Sequence, residues 1–217
     1  MSDHAPRMAG YKLVGMLDSP FVRRVAITME LYGLGYENLP LRTVGDAAEF
    51  ARYSPLKRAP TLVLEDGSTL VDSHMILAHL DELVVPERCL MPYAPAPRLL
   101  CRQVLGVSAG LADKSVAAFY EKNFHPPEHR NARLLERNRG QLVDTLKWLE
   151  ERAPSEYLLG SEPCHADIMV GTAIRFARDA VPDLLDLSDT PRVSAWCERL
   201  ESLPVFKQTY LPFDPPK

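Results

Sequence analysis

A proline-rich stretch divides this chain into two parts whose apolar residues repeat with different periods. Residues 84 to 97 read VVPERCLMPYAPAP and contain four prolines, a composition typical of a linker. A chain of 217 residues is long enough to bury two small cores. We therefore expect domains at 11–83 and 97–217, joined by a linker at 84–96 and preceded by an N-terminal tail at 1–10.

The first part alternates strand and helix signals. A helix begins at Pro20, where a missing N–H does no harm, and ends at Gly33 and Gly35. The turn dipeptide Asp66-Gly67 between two apolar runs predicts a β-hairpin. The predicted strands are 11–16, 36–42, 61–65 and 68–72, and the predicted helices are 20–32, a weak one at 47–54, and one from Ser73. This β-α-β-(α)-β-β-α order, with a right-handed parallel crossover at its start, is a thioredoxin-like topology.

The second part shows helical periodicity only. Its predicted helices cover about 97–124, 128–152, 166–181 and 191–201. In the second of these, one apolar stripe consists of Leu135, Asn138, Leu142, Leu146 and Leu149. The fold class is therefore an α/β domain followed by an all-α domain.

Composition narrows the location and the partners. A net charge of -4 argues against nucleic acid as the main partner. The first ten residues lack an apolar signal region and no run of 18 apolar residues occurs, so we expect a cytoplasmic protein without a membrane segment. Four cysteines without a CxxC pair suggest buried thiols rather than disulfides. No metal site is expected, because Pro126 and Pro127 separate His125 from His129 and HExxH is absent.

The order of a thioredoxin-like domain, a proline-rich linker and a helical domain resembles that of the cytosolic glutathione S-transferase superfamily. Four short motifs resemble motifs of the same family. They are SPFVRRV at 19–25, SPLKRAPTL at 54–62, DSHMILAHL at 72–80 and LLGSEPCHADIMV at 158–170. The first is similar to the Ser-type active-site turn of bacterial-type and tau-like members. Each motif alone is a weak signal, but the four occur in the right order, and the resemblance extends over nearly the whole chain, from Tyr11 to about Phe206. The resemblance implies glutathione as co-substrate and a thioredoxin-like domain that binds it.

The resemblance also implies which residues hold glutathione. Ser73, as the N-cap of its helix, would present free N–H groups to the γ-glutamyl carboxylate, and Asp72 would meet the amino group. Alternatively, both residues only cap the helix. Pro60 is expected in the cis form, so that the Ala59 main chain can pair with the glutathione cysteine as an extra strand. Arg58 or Lys57 would hold the glycyl carboxylate, although both also suit a solvated surface.

Ser19 is the expected catalytic residue. A free thiol with a pKa of about 8.5 is only a few per cent ionised at pH 7. A hydroxyl at a helix N-terminus can donate to the thiolate while the helix end adds positive potential. Two terms of about 1 kcal/mol each would lower the thiol pKa by about 1.5. Asp18 is a rival N-cap, and a purely capping role for Ser19 uses the same helix end.

Several positions depart from the family pattern. Cys164 stands where the family has a Ser or Thr cap, and a thiol accepts poorly, which weakens the cap by about 0.5 to 2 kcal/mol. Met75 replaces a small residue and is expected to narrow helix packing. Arg23 and Arg24 are expected on a solvated helical face; alternatively, one of them points toward the site or across a dimer interface. With no Cys at position 19, thiol–disulfide exchange through a mixed disulfide is excluded.

The sequence supports two alternative functions. The first is a glutathione transferase that directs the thiolate at an electrophilic carbon or a peroxide; its hydrophobic electrophile would lie between the first domain and the long helix, near Phe119, Tyr120 and Phe124. The second is a non-catalytic member similar to stringent-starvation proteins. The presence of Ser19, Asp72 and Ser73 together favours the enzyme. Either function implies a homodimer, because family members pair across a two-fold axis.

Overall fold

The computed structural model describes residues 10 to 214, which form two compact units. The first contains the described residues up to Leu90 together with those from Gln208 onward, and the second runs from Met91 to Lys207. The division falls inside the stretch 84–96. Residues 1 to 9 of the predicted N-terminal tail lie outside the described part of the chain.

The first unit is built on a four-stranded mixed sheet. Its strands are β1 (Tyr11–Val14), β2 (Tyr36–Leu39), β3 (Thr61–Val63) and β4 (Thr69–Val71), in the spatial order β2-β1-β3-β4. β1 and β2 are parallel, whereas β3 is antiparallel to both β1 and β4. The helices are α1 (Pro20–Tyr32), the short α2 (Ala47–Phe50) and α3 (Ser73–Asp81). The predicted parallel crossover and the hairpin at Asp66-Gly67 are confirmed.

A single apolar core joins the sheet to α1 and α3. Val22, Val25, Ala26 and Met29 line one face of α1 and are fully buried, as the i, i+3, i+4, i+7 spacing predicts. They meet Leu13 and Leu62 from the sheet and Ile76, Leu77 and Leu80 from α3. Gly33 closes α1 in the left-handed region, with φ of 78°, which glycine adopts without a steric penalty. This core fixes the start of α1 against the end of β1.

Among its described residues, the second unit contains helices and no β-strand. Its helices are α4 (Pro95–Phe124), α5 (Ala132–Glu150), α6 (His165–Ala180), α7 (Pro191–Ser202) and α8 (Pro204–Gln208). The last residue of α8, Gln208, is grouped with the first unit. α6 is buried along most of its length. α5 begins later than expected because Pro126 and Pro127 precede it and Asn131 caps it, its side chain accepting the Leu134 N–H at 3.0 Å. No described helix is both long enough and apolar enough to cross a membrane.

Candidate functional site

Ser19 lies at the N-terminus of α1, as the sequence predicted. It has the extended backbone of an N-cap residue, and its carbonyl accepts the Arg23 N–H at 2.9 Å. Pro20 occupies the first helical position. The Ser19 hydroxyl oxygen accepts no capping hydrogen bond from the first turn of α1, and its O–H group would be free to donate to a ligand even if it did. The cap position also falls on Ser19 rather than on its rival Asp18.

Asp18 precedes Ser19 and is a partly buried carboxyl group. Burial raises its pKa above the usual 3.8, while the Arg42 guanidinium and a hydrogen bond from the Ser19 main chain act to lower it. The Asp214 carboxylate, another negative charge nearby, adds to the rise. The residue next to the candidate catalytic serine is therefore under the influence of one cation and one anion.

The Ala59–Pro60 peptide bond is cis, as the sequence resemblance implied. Ala59 is half-buried, and among the described residues its main chain has no hydrogen-bond partner. Gly15, which follows β1, ties this loop to the Ser19 turn: a Cβ on Gly15 would lie 2.7 Å from Val22 and 3.0 Å from Ala59. Gly15 also has φ of 134°, so only glycine suits both the space and the backbone. The structure therefore brings the β1 end, α1 and the Ala59 loop into contact.

Asp72, and not Ser73, is the N-cap of α3, which corrects the expectation for Ser73. The Asp72 carboxylate accepts the His74 N–H at 2.8 Å, and its backbone has φ of 76°. Ser73 is the first helical residue and is buried, with 2% of its surface exposed. The helix end remains available as an anion site, because several of its first N–H groups lack helical partners. Ser73 supplies a main-chain N–H at that end.

Arg58 and Asp72 lie close together, although they were expected to hold opposite parts of glutathione. Arg58 Nη2 is 3.3 Å from Asp72 Oδ2, and both side chains are partly exposed. An exposed ion pair of this kind is worth at most about 1 kcal/mol, so a ligand carrying both charges can compete for both groups. Lys57 is exposed and has φ of 50°.

Arg23 and Arg24 are buried, which corrects the expectation that they face solvent. Only 3% of Arg23 and none of Arg24 is exposed. The Arg23 guanidinium lies 5.3 Å from the Tyr210 ring centre and that of Arg24 lies 6.0 Å from the Phe21 ring. Tyr210 comes from the far end of the chain, so no local pattern around Arg23 could have revealed this contact.

Three aromatic residues of α4 form a cluster in the second unit. The Phe119 ring meets those of Tyr120 and Phe124 edge-on at 5.6 and 6.4 Å, and the last two lie 5.2 Å apart. Phe119 is buried, whereas 38% of Tyr120 and 42% of Phe124 is exposed. Phe119 therefore supports the cluster from the core, and the other two rings present an apolar surface.

The start of α6 is organised around a buried carboxylate. Asp167 accepts hydrogen bonds from the Leu158 N–H, the Cys164 N–H and the Trp196 indole at 2.9, 2.9 and 2.8 Å. The Cys164 sulfur faces the Asp167 N–H, which completes a capping box, and lies 3.6 Å from the Cys101 sulfur. That thiol contact and burial raise the pKa of Cys164. All four cysteines are free thiols, and the described residues contain no cluster of metal-ligating side chains.

Tyr32, at the end of α1, has a structural role. Its hydroxyl hydrogen bonds to Asp81 and accepts the Leu90 N–H at 2.8 Å. Burial and the bond to Asp81 raise the pKa of Tyr32, so it is a poor candidate to stabilise a thiolate.

Comparisons with known proteins point to one family. The family model for the glutathione S-transferase N-terminal domain matches residues 13–88, and that for the C-terminal domain matches residues 132–199. The uncharacterized GST-like protein YibF of Escherichia coli is 30% identical over 142 residues, which span 64% of this chain and 68% of that protein.

Two solved structures share the fold over nearly their whole length. A glutathione S-transferase from Methylobacterium radiotolerans in complex with glutathione sulfonate has a TM-score of 0.85 at 26% identity, covering 95% of this chain and 98% of that one. A glutathione transferase family member from Pseudomonas fluorescens with bound glutathione has a TM-score of 0.84 at 28% identity, covering 94% and 100%. This chain belongs to the glutathione S-transferase superfamily.

Proposed function

We propose that this protein is a glutathione transferase in which Ser19 stabilises the glutathione thiolate. The observation that carries the proposal is the Ser19 hydroxyl, which lies at the N-terminus of α1 and makes no capping hydrogen bond. The bacterial relatives with bound glutathione or its sulfonate support the ligand. The non-catalytic alternative is not favoured by these relatives.

Glutathione would bind along the first unit through three kinds of contact. The N-terminus of α3, at Asp72 and Ser73, takes the γ-glutamyl group: N–H groups bind the carboxylate and Asp72 binds the ammonium. The Ala59 main chain, beside cis-Pro60, pairs with the cysteinyl backbone. Arg58, released from Asp72 by the incoming ammonium, or Lys57 holds the glycyl carboxylate. These contacts deliver the cysteine sulfur toward the neighbouring Ser19 turn.

Ser19 acts by a hydrogen bond and not as a nucleophile. Its hydroxyl donates to the sulfur anion, and the N-terminus of α1 adds a favourable potential. Each lowers the energy of the thiolate relative to the thiol, so the bound sulfur is ionised at neutral pH. The proton leaves to solvent. The thiolate then forms a C–S bond with an electrophilic carbon, whose leaving group departs with the bonding electron pair. With a peroxide, the thiolate attacks one oxygen and is oxidised to a sulfenic acid, while the O–O bond breaks and the other oxygen leaves as an alkoxide or hydroxide.

The remaining features of the proposal concern the second substrate and the assembly. The exposed rings of Tyr120 and Phe124, supported by Phe119, are suited to a small hydrophobic electrophile. We also propose a homodimer, as in the family, and a cytoplasmic location, which suits four free thiols.

Titration of glutathione into the purified protein tests the proposal. Ultraviolet absorbance reports the thiolate of the bound ligand, and calorimetry reports its affinity. We expect thiolate formation in the wild type and its loss in Ser19→Ala with binding retained. Ser161→Ala, an exposed loop serine of the second unit, is the matched control. The absence of binding at millimolar glutathione would refute the enzyme, and an unchanged thiolate in Ser19→Ala would remove Ser19 from the mechanism.

A further inference from the structure

The C-terminal residues 209 to 214, here called the return segment, contact two arginines of the thioredoxin-like unit. The Tyr210 ring lies 5.3 Å from the guanidinium of the buried Arg23. The Arg42 guanidinium donates to the Asp214 carbonyl at 2.9 Å and to its carboxylate at 3.1 Å. An arginine that meets both main chain and carboxylate of one residue is held in a defined orientation.

Both arginines are connected to the turn that carries Ser19. The Arg23 N–H donates to the Ser19 carbonyl, so Arg23 belongs to the first hydrogen-bonded turn of α1. Arg42 follows β2, and the end of β2 is tied to the end of β1 because the Gly15 N–H donates to the Leu39 carbonyl at 2.9 Å. The return segment therefore reaches the helix that follows Ser19 and the strand ends that precede it.

The same contacts place charges beside Ser19. The Asp18 carboxyl interacts electrostatically with both Arg42 and Asp214. A negative Asp18 would oppose a second negative charge on a sulfur held by its neighbour Ser19. Arg42 offsets that repulsion, and Asp214 keeps the Arg42 guanidinium in place.

We propose that the return segment is a positioning element for glutathione activation. Tyr210 holds Arg23 and Asp214 holds Arg42, and these contacts keep the Ser19 hydroxyl and the charges of Asp18 and Arg42 in the arrangement that stabilises the thiolate. This inference rests on the proposed transferase function. A hydrogen bond to sulfur depends steeply on where the hydroxyl lies, and a displacement of about 1 Å is enough to cost a large part of the rate. The residues act through Ser19 and do not themselves contact the sulfur.

Substitutions at Tyr210 and Arg42 test the two contacts that the return segment makes with the thioredoxin-like unit. Tyr210→Ala removes the ring against Arg23, and Tyr210→Phe is the conservative variant that keeps the ring. Arg42→Gln removes the cation near Asp18, and Arg42→Lys restores its charge. Glu37→Gln is the matched control, because it breaks another partly exposed ion pair of the same unit, with Lys12 at 3.5 Å. Thermal unfolding of every variant checks the fold.

The decisive measurement is the pKa of the bound glutathione thiol, from a pH titration of thiolate absorbance at saturating glutathione. In Arg42→Gln and Tyr210→Ala we expect this pKa to rise by about 0.5 to 1, which lowers the thiolate fraction about three- to tenfold below the pKa. The rate constant kcat should fall in parallel, whereas the glutathione KM changes little. Tyr210→Phe and Arg42→Lys should recover most of the loss, and Glu37→Gln should match the wild type.

The outcomes separate this inference from the function on which it rests. A wild type that fails to ionise bound glutathione refutes the transferase proposal and the inference with it. A wild type that ionises glutathione, with variants that share its thiol pKa, refutes the inference alone. Variants that weaken only glutathione affinity at an unchanged thiol pKa also refute it. If Tyr210→Ala does not fold, the half-buried Arg42 supplies the result through Arg42→Gln and its lysine rescue.

Discussion

Lys57 occupies a backbone conformation that suits glycine better than lysine. Its φ of 50° is in the left-handed region, which costs an L-residue about 1 to 2 kcal/mol. Glycine avoids that strain but loses about 0.5 to 1 kcal/mol more through unfolded-state entropy.

Lys57→Gly should therefore leave the protein equally stable or stabilise it by up to about 1 kcal/mol, as measured by urea unfolding. Lys57→Ala is the matched control, because it removes the charge and keeps the strain, and it should give no such gain. Glutathione titration of both variants reports on the glycyl carboxylate. If Lys57 holds that group, both variants lose affinity equally; if Arg58 holds it, neither does. A destabilised Lys57→Gly would contradict the argument.

The raised pKa of Asp18 predicts that the stability of the protein depends on pH. Its folded-state pKa is raised, mainly by burial, so the native state holds the proton more tightly than the unfolded chain. At pH values above the raised pKa both states are ionised and folding buries a charge, whereas below the usual 3.8 both are neutral and that penalty is absent. The contribution of Asp18 to the free energy of unfolding is therefore most favourable below pH 3.8, and it is lost as the pH rises through the raised pKa of the folded state.

Asp18→Asn, which keeps a side-chain oxygen for the Ser19 N–H, should consequently be more stable than the wild type at neutral pH. The difference should shrink as pH falls below the usual aspartate range. Urea unfolding of both proteins between about pH 3 and 7 measures it. A difference that does not change with pH would show that the carboxyl keeps its ordinary pKa.

At the candidate site, the sequence predicted the start of α1 correctly and the cap of α3 with an error of one residue. The helix start at Ser19 and Pro20 follows from local backbone chemistry and is confirmed. The α3 cap was displaced by one residue, because Asp72 and Ser73 are both good N-caps and the sequence does not distinguish them. Arg23 and Arg24 were assigned to solvent because charged residues are seldom buried, and their aromatic partners could not be ranked from sequence. Only the tertiary structure provides that information.

At the scale of elements, the start of α6 depends on the quality of its cap. Asp167 satisfies three donors from a fully buried position, whereas the opposite half of the capping box relies on the weakly accepting sulfur of Cys164. The helix therefore has one strong and one weak capping contact. Because most of α6 is buried, a defect at its start affects the core of the whole second unit.

Cys164→Ser should strengthen this cap and raise the free energy of unfolding by about 0.5 to 1 kcal/mol. The serine oxygen can accept the Asp167 N–H that now faces sulfur. Cys197→Ser is the matched control: Cys197 is also buried, within α7, but offers no cap, so its hydroxyl should destabilise by about 1 to 3 kcal/mol. Urea unfolding compares the two. Equal destabilisation by both serines would show that the cap contributes nothing.

Elements with strong periodicity or a clear turn signal were predicted well, whereas the two short helices α2 and α8 were not. The hairpin, α1 and the long helices of the second unit were all expected from apolar spacing and turn residues. The structure has only four residues in α2, where the sequence predicted a helix at 47–54, and it contains α8, which the sequence did not predict. Both are short enough that a helical pattern has too few repeats to show above chance, and their stability comes from packing such as that of the buried Phe50 and Phe206.

At the scale of the whole molecule, the return segment shows what the order of elements cannot reveal. The composition change at 84–97 indicated where the chain passes from one unit to the next. The described residues from Gln208 onward nevertheless group with the first unit, through contacts such as Arg42 with Asp214. These pairs join residues from opposite ends of the chain, and no periodicity or local motif encodes such a pairing.

Apolar side chains exposed on the first unit are available to a second copy of the chain. Leu56 is 72% exposed and Met75, on α3, is 58% exposed. The exposure of Met75 corrects the expectation that it narrows helix packing. We expect a two-fold dimer to bury Met75 of both copies, because a two-fold interface uses the same surface on each.

We expect sedimentation equilibrium to give about twice the 24.3 kDa mass of one chain at micromolar concentration. Met75→Glu should raise the dimer dissociation constant at least about tenfold, because desolvating a charge at an interface is unfavourable. Val44→Glu, which changes another exposed apolar residue of the first unit, 44% exposed, is the control and should stay dimeric. A monomer mass for the wild type at all concentrations refutes the dimer, whereas a dimeric Met75→Glu places the interface elsewhere on the surface.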